Sequence, residues 1–300
     1  MFVFGKQPTA PISPAELWQR AGMQKHLPTL PAAASRAIQI ANDPKCEIAD
    51  FVSALETDPA LTTDILRVAN SPLYRLGKPV ATLSQAVVRL GLKECRNLVL
   101  TVGFYSLFRK TPPTQKKACQ MLWSHLFQTA KLCRLLNHCL DLGFDGEEFT
   151  CGLVHDLGRL LFVFALPSRL GELDRFDFCE QDGSALLEHE RYIAGTDHCQ
   201  LGAWFATINQ LPGLMVSCAA FHHQPPQAAE THGRMVALVQ LADDISNHLM
   251  RGEPPERYDI RTRDLWQTVR HYLTEDEDAA SAHVGRTACQ VAQCTEQALN

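Results

Sequence analysis

The chain has 300 residues, of which 46% are hydrophobic and 20% are charged, and its formal net charge is -5. This length and composition are those of a globular protein with one large domain or two packed subdomains, and they exclude a largely disordered chain. Because the sequence shows no dense stripe of lysine and arginine, we expect no nucleic-acid binding through phosphate neutralisation.

Nothing in the sequence indicates secretion or a membrane location. Residues 1–15 contain three prolines and no periodicity, so we predict a loose N-terminal extension, and their short apolar run does not make a signal peptide. No stretch of about 18 uninterrupted apolar residues predicts a membrane span. The eleven cysteines are odd in number and never spaced as CxxC, which favours reduced, mostly buried thiols in a cytoplasmic protein.

Residues 16–113 are predicted to form an N-terminal helical half. Asp58 followed by proline is typical of a helix N-cap, and Thr82 with Gln85 fits a capping box. A further helical pattern runs through residues 92–108. A polar, proline-bearing stretch follows, and we place the boundary between the two halves there, at about residue 113.

Residues 114–252 are predicted to form a second helical half, followed by a helical C-terminal portion at residues 253–300. The predicted helices of the second half include residues 147–165, 182–192, 197–209 and 235–249. No segment alternates strictly over enough residues to predict a strand. We therefore expect an all-α fold in which an N-terminal helical half packs with the second half.

Histidines and aspartates form an ordered series in the second half. Its members are His125, His155, Asp156, His198, His222, His223 and Asp243. Imidazole and carboxylate groups bind Fe, Mn, Zn, Co or Ni without needing a thiolate. Their helices would have to converge, as helices do around metal sites in bundle cores. The series predicts one or two divalent transition ions.

The adjacent residues His155 and Asp156 interrupt a strongly apolar helix. Burying both groups costs several kcal/mol, on the order of a broken ion pair, unless they are paired or bound to a metal. Gly152 and Gly158 each cost roughly 1 kcal/mol relative to alanine in a helix interior, so we expect close helix packing there. Arg159 lies one turn after His155, where it could bind a phosphate or pair with Asp156.

The other members of the series each have a structural interpretation when taken alone. His125 lies beside an apolar stripe and fits a hydrogen-bonded histidine at the core edge. Asp243 fits a solvated carboxylate or a partner for arginine. His222 and His223 fit cations at a helix C-terminus. The combined series is more specific than any of its members.

These motifs resemble the HD superfamily of metal-dependent phosphohydrolases and, more closely, the HDOD family, the HD-related output domain of bacterial signalling proteins. The superfamily ligand order H…HD…D corresponds to His125, His155, Asp156 and Asp243. The strings that resemble HDOD motifs are Leu27-Pro-Thr-Leu-Pro, Asp58-Pro-Ala-Leu-Thr, Val68-Ala-Asn-Ser-Pro-Leu-Tyr, Ala86-Val-Val-Arg-Leu-Gly-Leu, Leu122-Trp-Ser-His, Gly152-Leu-Val-His-Asp-Leu-Gly-Arg-Leu, Asp197-His198 with Gly202, and Phe221-His-His. The resemblance covers residues 24–250 and rests on these strings.

The resemblance implies an all-helical signalling module for which hydrolase activity is not established. The related HD-GYP phosphodiesterases hydrolyse cyclic di-GMP, and similarity to them implies that all seven residues of the series are metal ligands. Two departures weaken the expectation of substrate binding. The lysine four residues after the HD histidine is Arg159 here, and Gln-Pro-Pro follows His222 and His223 in place of a Gly-Tyr-Pro loop.

Two functions follow as alternatives. The first is a regulatory module that acts through contacts with a signalling protein, without strong hydrolase activity, and that could take a phosphorylated or cyclic-nucleotide ligand. The second is a phosphodiesterase whose metal generates a hydroxide nucleophile while Arg159 clamps the phosphate. An enzyme needs an open coordination position and a wide cleft, whereas a relay module can fill that space with side chains.

Overall fold

The chain is helical throughout the part that the computed structural model describes. Described are residues 9–21, 29–41, 43, 45–71, 74, 77–109, 111, 113–173, 183–228, 230–272 and 276–299. The helices are α1 (Pro14–Arg20), α2 (Ala32–Ala41), α3 (Ile48–Glu56), α4 (Pro59–Ala69), α5 (Leu83–Leu90), α6 (Leu92–Phe108), α7 (Lys116–Cys139), α8 (Glu147–Val154), α9 (Leu157–Ala165), α10 (Leu170–Leu173), α11 (Gly183–Ala194), α12 (His198–Ile208), α13 (Gly213–Phe221), α14 (Gly233–Met250), α15 (Trp266–Val269) and α16 (Glu277–Leu299). Short 3-10 helices lie at Pro113–Gln115, Pro167–Arg169, Pro225–Gln227, Pro255–Arg257, Ile260–Thr262 and Arg270–Tyr272. Within these ranges no strand occurs, which confirms the predicted all-α class.

The helices group into two compact units, one of residues 28–111 and one that joins residues 1–27 to residues 112–300. The N-terminal half predicted at residues 16–113 includes α1, but α1 belongs with the later unit. The reason is aromatic packing. Trp18 of α1 is 2% exposed, and its ring centroid lies 6.0 Å from that of Trp204 in α12.

The described part of the N-terminal extension, residues 9–15, is hydrogen-bonded to later residues of the chain, so the prediction of a loose extension is wrong there. The backbone N–H of Thr9 donates to the carbonyl of Tyr192, and that of Ile12 donates to the carbonyl of Gly195, both at 2.9 Å. These are tertiary hydrogen bonds, so the absence of local periodicity gave no sign of them. The remainder of the predicted extension, residues 1–8, lies outside the described residues.

In the unit of residues 28–111, α6 lies at the centre and contacts α2, α4 and α5. The predicted helix starts are confirmed. The Asp58 carboxylate accepts from the N–H of Leu61 at 3.0 Å, and the Thr82 hydroxyl accepts from that of Gln85 at 3.2 Å. The side-chain oxygen Oε1 of Gln85 accepts a hydrogen bond from the N–H of Ala81 and not from that of the cap residue Thr82. The motif that begins at residue 27 lies partly outside the described residues.

In the unit of residues 112–300, α7 contacts α8, α14 and α16, while α12 contacts both α9 and α13. The helices predicted at residues 197–209 and 235–249 are confirmed as α12 and α14. The helix predicted from residue 182 is α11, and residue 182 itself is not described. The single helix predicted at residues 147–165 is wrong, because α8 ends at Val154 and α9 begins at Leu157.

The break between α8 and α9 falls at His155 and Asp156. The carbonyl of Gly152 lies 2.8 Å from Nδ1 of His155 and accepts from it, which satisfies a carbonyl that the end of α8 would leave unpaired. Asp156 leaves the helical conformation, with φ -106° and ψ 13°. Successive side chains on a helix point about 100° apart. The break therefore lets two adjacent side chains face one site.

No individual helix in the described ranges has both the length and the apolar character needed to cross a membrane. The pair Glu147–Ala165 and Pro167–Leu173 meets the length and composition requirement together, but it bends by 103°. Most residues of α8 and α9 in this pair are buried inside the protein.

Candidate metal centre

Helices of the 112–300 unit bring all seven predicted residues to one place, and we call these residues the His/Asp cluster. His125 lies in α7, His155 and Asp156 lie between α8 and α9, His198 begins α12, His222 and His223 follow α13, and Asp243 lies in α14. Six members are at most 6% exposed, and only His223 is partly exposed. The expected convergence of the helices is therefore observed. Metal binding by these residues stays a prediction.

The first half of the cluster is a triangle of two imidazoles and one carboxylate. Oδ1 of Asp243 lies 3.0 Å from Nε2 of His125 and 3.5 Å from Nε2 of His155. The two Nε2 atoms are 3.3 Å apart. Three donor atoms from α7, α14 and the α8–α9 break thus surround one small volume.

The second half repeats this arrangement around Asp156. Its Oδ1 lies 3.1 Å from Nε2 of His198 and 3.3 Å from Nε2 of His222, and these two nitrogens are 3.3 Å apart. The other oxygen, Oδ2, lies 3.7 Å from Nε2 of His125 and 3.8 Å from Nε2 of His155. One carboxylate therefore spans both halves, as a bridging ligand between two ions does.

Backbone carbonyls fix the protonation of two cluster imidazoles. Nδ1 of His155 lies 2.8 Å from the carbonyl oxygen of Gly152, and Nδ1 of His222 lies 3.0 Å from that of Cys218. A carbonyl oxygen can only accept, so each Nδ1 carries the proton. Each Nε2 is then the ring nitrogen that faces the cluster, as in metal-binding histidines whose other nitrogen is held by an outer hydrogen bond.

Side chains fix Nδ1 of two further imidazoles, His198 and His125, in the same way. Nδ1 of His198 donates to Oε2 of Glu190 at 2.7 Å. Nδ1 of His125 lies 3.2 Å from Oγ of Ser246, whose own proton is donated to Oε1 of Gln128 at 3.0 Å. The Nε2 atoms of these four imidazoles thus face inward, where each can carry a proton shared with a carboxylate or, once deprotonated, bind a metal.

The cluster fits a divalent cation. Nε2 lone pairs of His198 and His222 that face each other at 3.3 Å repel unless a proton or a cation lies near both. Nε2 of His223 is buried without a hydrogen-bond partner among the described residues. Buried polar atoms are otherwise almost always satisfied. Imidazole with carboxylate is a donor set for Fe, Mn, Zn or Ni.

The carboxylates of the cluster are held ionised. Burial opposes ionisation of Asp156, but the charges of Arg159 and His198 more than offset it, and the pKa of Asp156 lies well below its usual range. Burial likewise opposes ionisation of Asp243, yet hydrogen bonds from two cluster imidazoles hold its pKa well below the usual range. Two negative charges at the centre of the cluster favour a bound cation.

In the second half of the cluster, the surroundings of His198 and His222 favour the protonated rings. Burial favours the neutral ring of His198, but Cys199 and Glu190 more than offset it, and the pKa of His198 is raised well above its usual range. Burial also opposes the charge on His222, whereas Cys199 and Asp156 favour it and raise the pKa to about 10. In the absence of a metal, protons therefore take the cation's place.

Two residues of the site, Glu190 and Cys199, are not among those predicted from the sequence. Glu190 is 2% exposed and lies on the apolar face of α11 with Leu187 and Ile193. A carboxylate on the apolar face of a helix indicates a buried, partnered group, so the sequence pattern could have identified Glu190. Cys199 was read as a small buried hydrophobe, but its Sγ lies 3.5 Å from Nε2 of His198. Its place directly after a candidate ligand was the only sequence signal.

Two glycines allow the helices of the site to approach closely, as predicted. A Cβ added to Gly152 would lie 2.8 Å from Cα of Ala130 in α7. A Cβ added to Gly158 would lie 1.8 Å from the carbonyl oxygen of His198 in α12. The helix-propensity cost of these glycines is therefore explained by backbone contacts that a side chain would prevent.

Arg159 takes one of its two predicted roles. Its Nε lies 2.8 Å from Oδ2 of Asp156, and its side chain is 15% exposed. Beside it lies a cavity of about 530 Å³, which is also lined by His223 and Asp243. The cluster is thus open to this cavity on the side of these three residues.

Comparison with known proteins relates the fold to one family. Residues 27–225 match the HDOD domain. An HDOD domain protein with unknown function from Geobacter sulfurreducens is similar in structure, with a TM-score of 0.72 and 22% identity over 93% of this chain and 96% of that chain. A protein from Shewanella amazonensis SB2B, provisionally named a phosphohydrolase, has a TM-score of 0.68 and 23% identity over 93% of this chain and 97% of that chain.

Among curated proteins, an uncharacterized protein of Treponema pallidum (strain Nichols) is 26% identical over 230 residues. The match covers 76% of this chain and 44% of that protein, so the chain spans less than half of the relative's length. The HDOD match includes every cluster residue except Asp243, which lies beyond its end at residue 225. The match extends over most of the chain, and its motifs converge in the structure. The chain belongs to the HDOD domain family.

Proposed function

We propose that this chain is a signal-transduction module that binds one or two divalent transition ions in the His/Asp cluster and acts through contacts with a signalling protein. In this proposal it works in the cytoplasm, has no strong hydrolase activity and does not bind nucleic acid or membranes. A phosphorylated or cyclic-nucleotide compound would act as a regulatory ligand in the cavity beside the cluster.

The ion pair of Arg159 is the observation that carries this proposal. A phosphohydrolase needs a group that stabilises the charge developing on the phosphate. Arg159 stands where the sequence predicted such a group, but its Nε lies 2.8 Å from Oδ2 of Asp156. The charge of Arg159 compensates a carboxylate of the cluster. Moving the guanidinium onto a substrate would leave the buried Asp156 without this partner.

The charges that line the cavity also favour regulation over hydrolysis. Its arginines are Arg159, Arg251 and Arg263, and its aspartates are Asp243, Asp244 and Asp264. Nε of Arg263 lies 3.5 Å from Oδ2 of Asp244, and Arg251 forms an ion pair with Glu253. The lining therefore offers balanced charge. A phosphodiester in it would meet aspartates as well as arginines.

A metal would be held by His125, His155 and Asp243 in one half and by His198, His222 and His223 in the other, with Asp156 between them. Bound there, it would supply a Lewis acid and an acidified water. For a signalling module its main effect is structural, because an ion that holds ligands from several helices adds its binding free energy to folding. Metal occupancy would thereby set the stability of the surface that a partner recognises.

A metal-dependent phosphodiesterase is the second candidate. The cavity of about 530 Å³ reaches Asp243 and His223 and has the size of a small-molecule site. By the criterion of an open cleft, this observation favours an enzyme. The provisional name of the Shewanella protein points the same way, although at 23% identity that likeness extends to the fold alone.

Turnover measurements separate the two functions. Protein loaded with Mn, Fe, Zn or Ni is assayed with cyclic di-GMP, other cyclic dinucleotides and generic phosphoesters, with His155→Ala as the control. We expect no turnover above that of the control. Robust turnover that disappears in His155→Ala would overturn the regulatory proposal in favour of the phosphodiesterase. Turnover equal in both proteins would identify a contaminating enzyme and leave the expectation intact.

A further inference from the structure

A cysteine lies among the imidazoles of the second half of the cluster. Cys199 is the second residue of α12, directly after His198, and it is 4% exposed. Its Sγ lies 3.5 Å from Nε2 of His198 and 3.9 Å from Nδ1 of His222. One donor atom from each of His198, Cys199, His222 and His223 lies within 4.8 Å of the other three.

The surroundings of this sulfur differ from those of a thiol that only fills space. It lies in the first turn of α12, an eleven-residue helix capped by Asp197, where the backbone dipole favours a thiolate. The Nε2 atom of His223, a member of this group, is buried and has no hydrogen-bond partner among the described residues. A buried imidazole nitrogen without a partner, grouped with a sulfur and two further imidazoles, is an arrangement that a bound cation would complete.

We propose that Cys199 is a metal ligand, and that its thiolate makes the second half of the cluster prefer thiophilic ions such as Zn²⁺, Co²⁺ and Fe²⁺ to Mn²⁺ and Mg²⁺. The inference rests on metal binding as stated in the proposed function. As the metal–sulfur bond forms, the thiol proton is released to solvent. The first half contains only nitrogen and oxygen donors and does not share this preference.

This assignment changes the expected chemistry of the site. A cluster of imidazoles and carboxylates alone takes Mn or Fe as readily as Zn, since its ligands are hard to borderline. A thiolate in one half makes the two halves chemically unequal. The two halves would then favour ions of different kinds, with Asp156 available to both halves. The same sulfur exposes that half to oxidation, because the thiolate is the reactive form of cysteine.

Cobalt spectroscopy tests the proposal on the full chain. Co²⁺ is titrated into metal-free wild-type protein, Cys199→Ser, Cys199→Ala and Cys95→Ser. Cys95 is buried in the unit of residues 28–111, and burial raises the pKa of its thiol to about 12. Its thiol therefore stays protonated near neutral pH, and the thiolate is the form that binds metals. We expect wild type and Cys95→Ser to show a near-ultraviolet thiolate-to-cobalt charge-transfer band together with the visible cobalt bands. Both Cys199 variants should keep visible bands and lose the charge-transfer band.

X-ray absorption of zinc-loaded wild-type protein gives a second readout that requires no variant. We expect a sulfur scatterer at about 2.3 Å from zinc, alongside nitrogen and oxygen scatterers. Visible cobalt bands without a charge-transfer band, or zinc without sulfur, would overturn the role of Cys199 and leave metal binding standing. A charge-transfer band that persists in folded Cys199→Ser would also overturn it. Absence of every cobalt band would overturn both this inference and the metal-binding part of the proposed function.

Discussion

One carboxylate oxygen of Glu190 accepts two hydrogen bonds from His198. Oε2 lies 2.8 Å from the backbone nitrogen of His198 and 2.7 Å from its Nδ1. The first bond satisfies an N–H at the start of α12, and the second fixes which ring nitrogen is protonated. Glu190 therefore sets both the backbone position and the lone-pair direction of a predicted metal ligand.

Glu190→Gln should weaken metal binding without removing any ligand. The amide oxygen of glutamine can still accept a hydrogen bond, but the negative charge that makes His198 a more basic metal ligand is lost. We expect metal affinity to fall by about 10- to 100-fold, the usual effect of removing such an outer partner. A competition titration with a chromophoric chelator measures this. The exposed Glu188 on the same helix supplies the control Glu188→Gln, and equal loss in both variants would contradict the assigned role.

Asp156→Asn should lower metal content more than Asp243→Asn does. Asp156 has an oxygen near the imidazoles of each half, whereas the cluster imidazoles that lie near Asp243 are those of the first half, His125 and His155. We expect loss of both ions in the first variant and of the ion in one half in the second. Elemental analysis of the metal-to-protein ratio checks this. Equal ratios in the two variants would show that Asp156 does not bridge the halves.

Gly158→Ala should destabilise the protein and disturb the second half of the cluster. The added Cβ would lie 1.8 Å from the carbonyl oxygen of His198, and a backbone atom cannot swing aside as a flexible side chain can. We expect the free energy of unfolding to fall by about 1–3 kcal/mol, the usual cost of overpacking, or by more. We also expect metal affinity to be reduced. Urea unfolding measures the first effect.

Gly171→Ala is the matched control for this substitution. Gly171 lies in α10, and a Cβ there meets no described atom within 4 Å. Alanine is the better helix former, so the free energy of unfolding should be unchanged or slightly higher. Equal destabilisation by both substitutions would contradict close packing at residue 158.

Metal binding should release protons near neutral pH. Burial disfavours charge on His222, but Cys199 and Asp156 favour it and raise its pKa to about 10 in the absence of an ion. Below that pKa the ring holds a proton that the metal has to displace, so affinity should increase as pH rises toward it. Calorimetric titrations in buffers of different ionisation enthalpy measure the release. Heats that do not depend on the buffer would contradict the prediction.

Helix caps and the identities of the predicted ligands could be read from the sequence because they depend on local chemistry. Asp58 and Thr82 cap their helices with bonds to residues three positions away, which a linear pattern contains. The ordered histidines and aspartates pointed to one site because uncompensated buried charges are costly. Close helix packing at Gly152 and Gly158 could also be predicted, because glycine in a helix interior is less stable than alanine unless a side chain there would clash.

The break between α8 and α9 could not be predicted from the apolar pattern. That pattern continues from Phe149 through Val163, and a helix is the expected result. The break depends on the bond from His155 to the carbonyl of Gly152 and on the position of Asp156 between two groups of imidazoles. Those imidazoles come from residues far along the chain, so only the folded protein defines the turn.

The all-helical class could be predicted from the sequence because helix propensity and capping follow from residue type and spacing, and the ordered imidazoles and carboxylates were identified as candidate ligands through their resemblance to the HD motif order. The pairing of Arg159 with Asp156, the orientation of His198 by Glu190 and the position of Cys199 against the imidazoles could be found only in the folded protein. These relationships depend on distances of a few ångströms between helices, and helix packing sets such distances through the whole set of buried contacts.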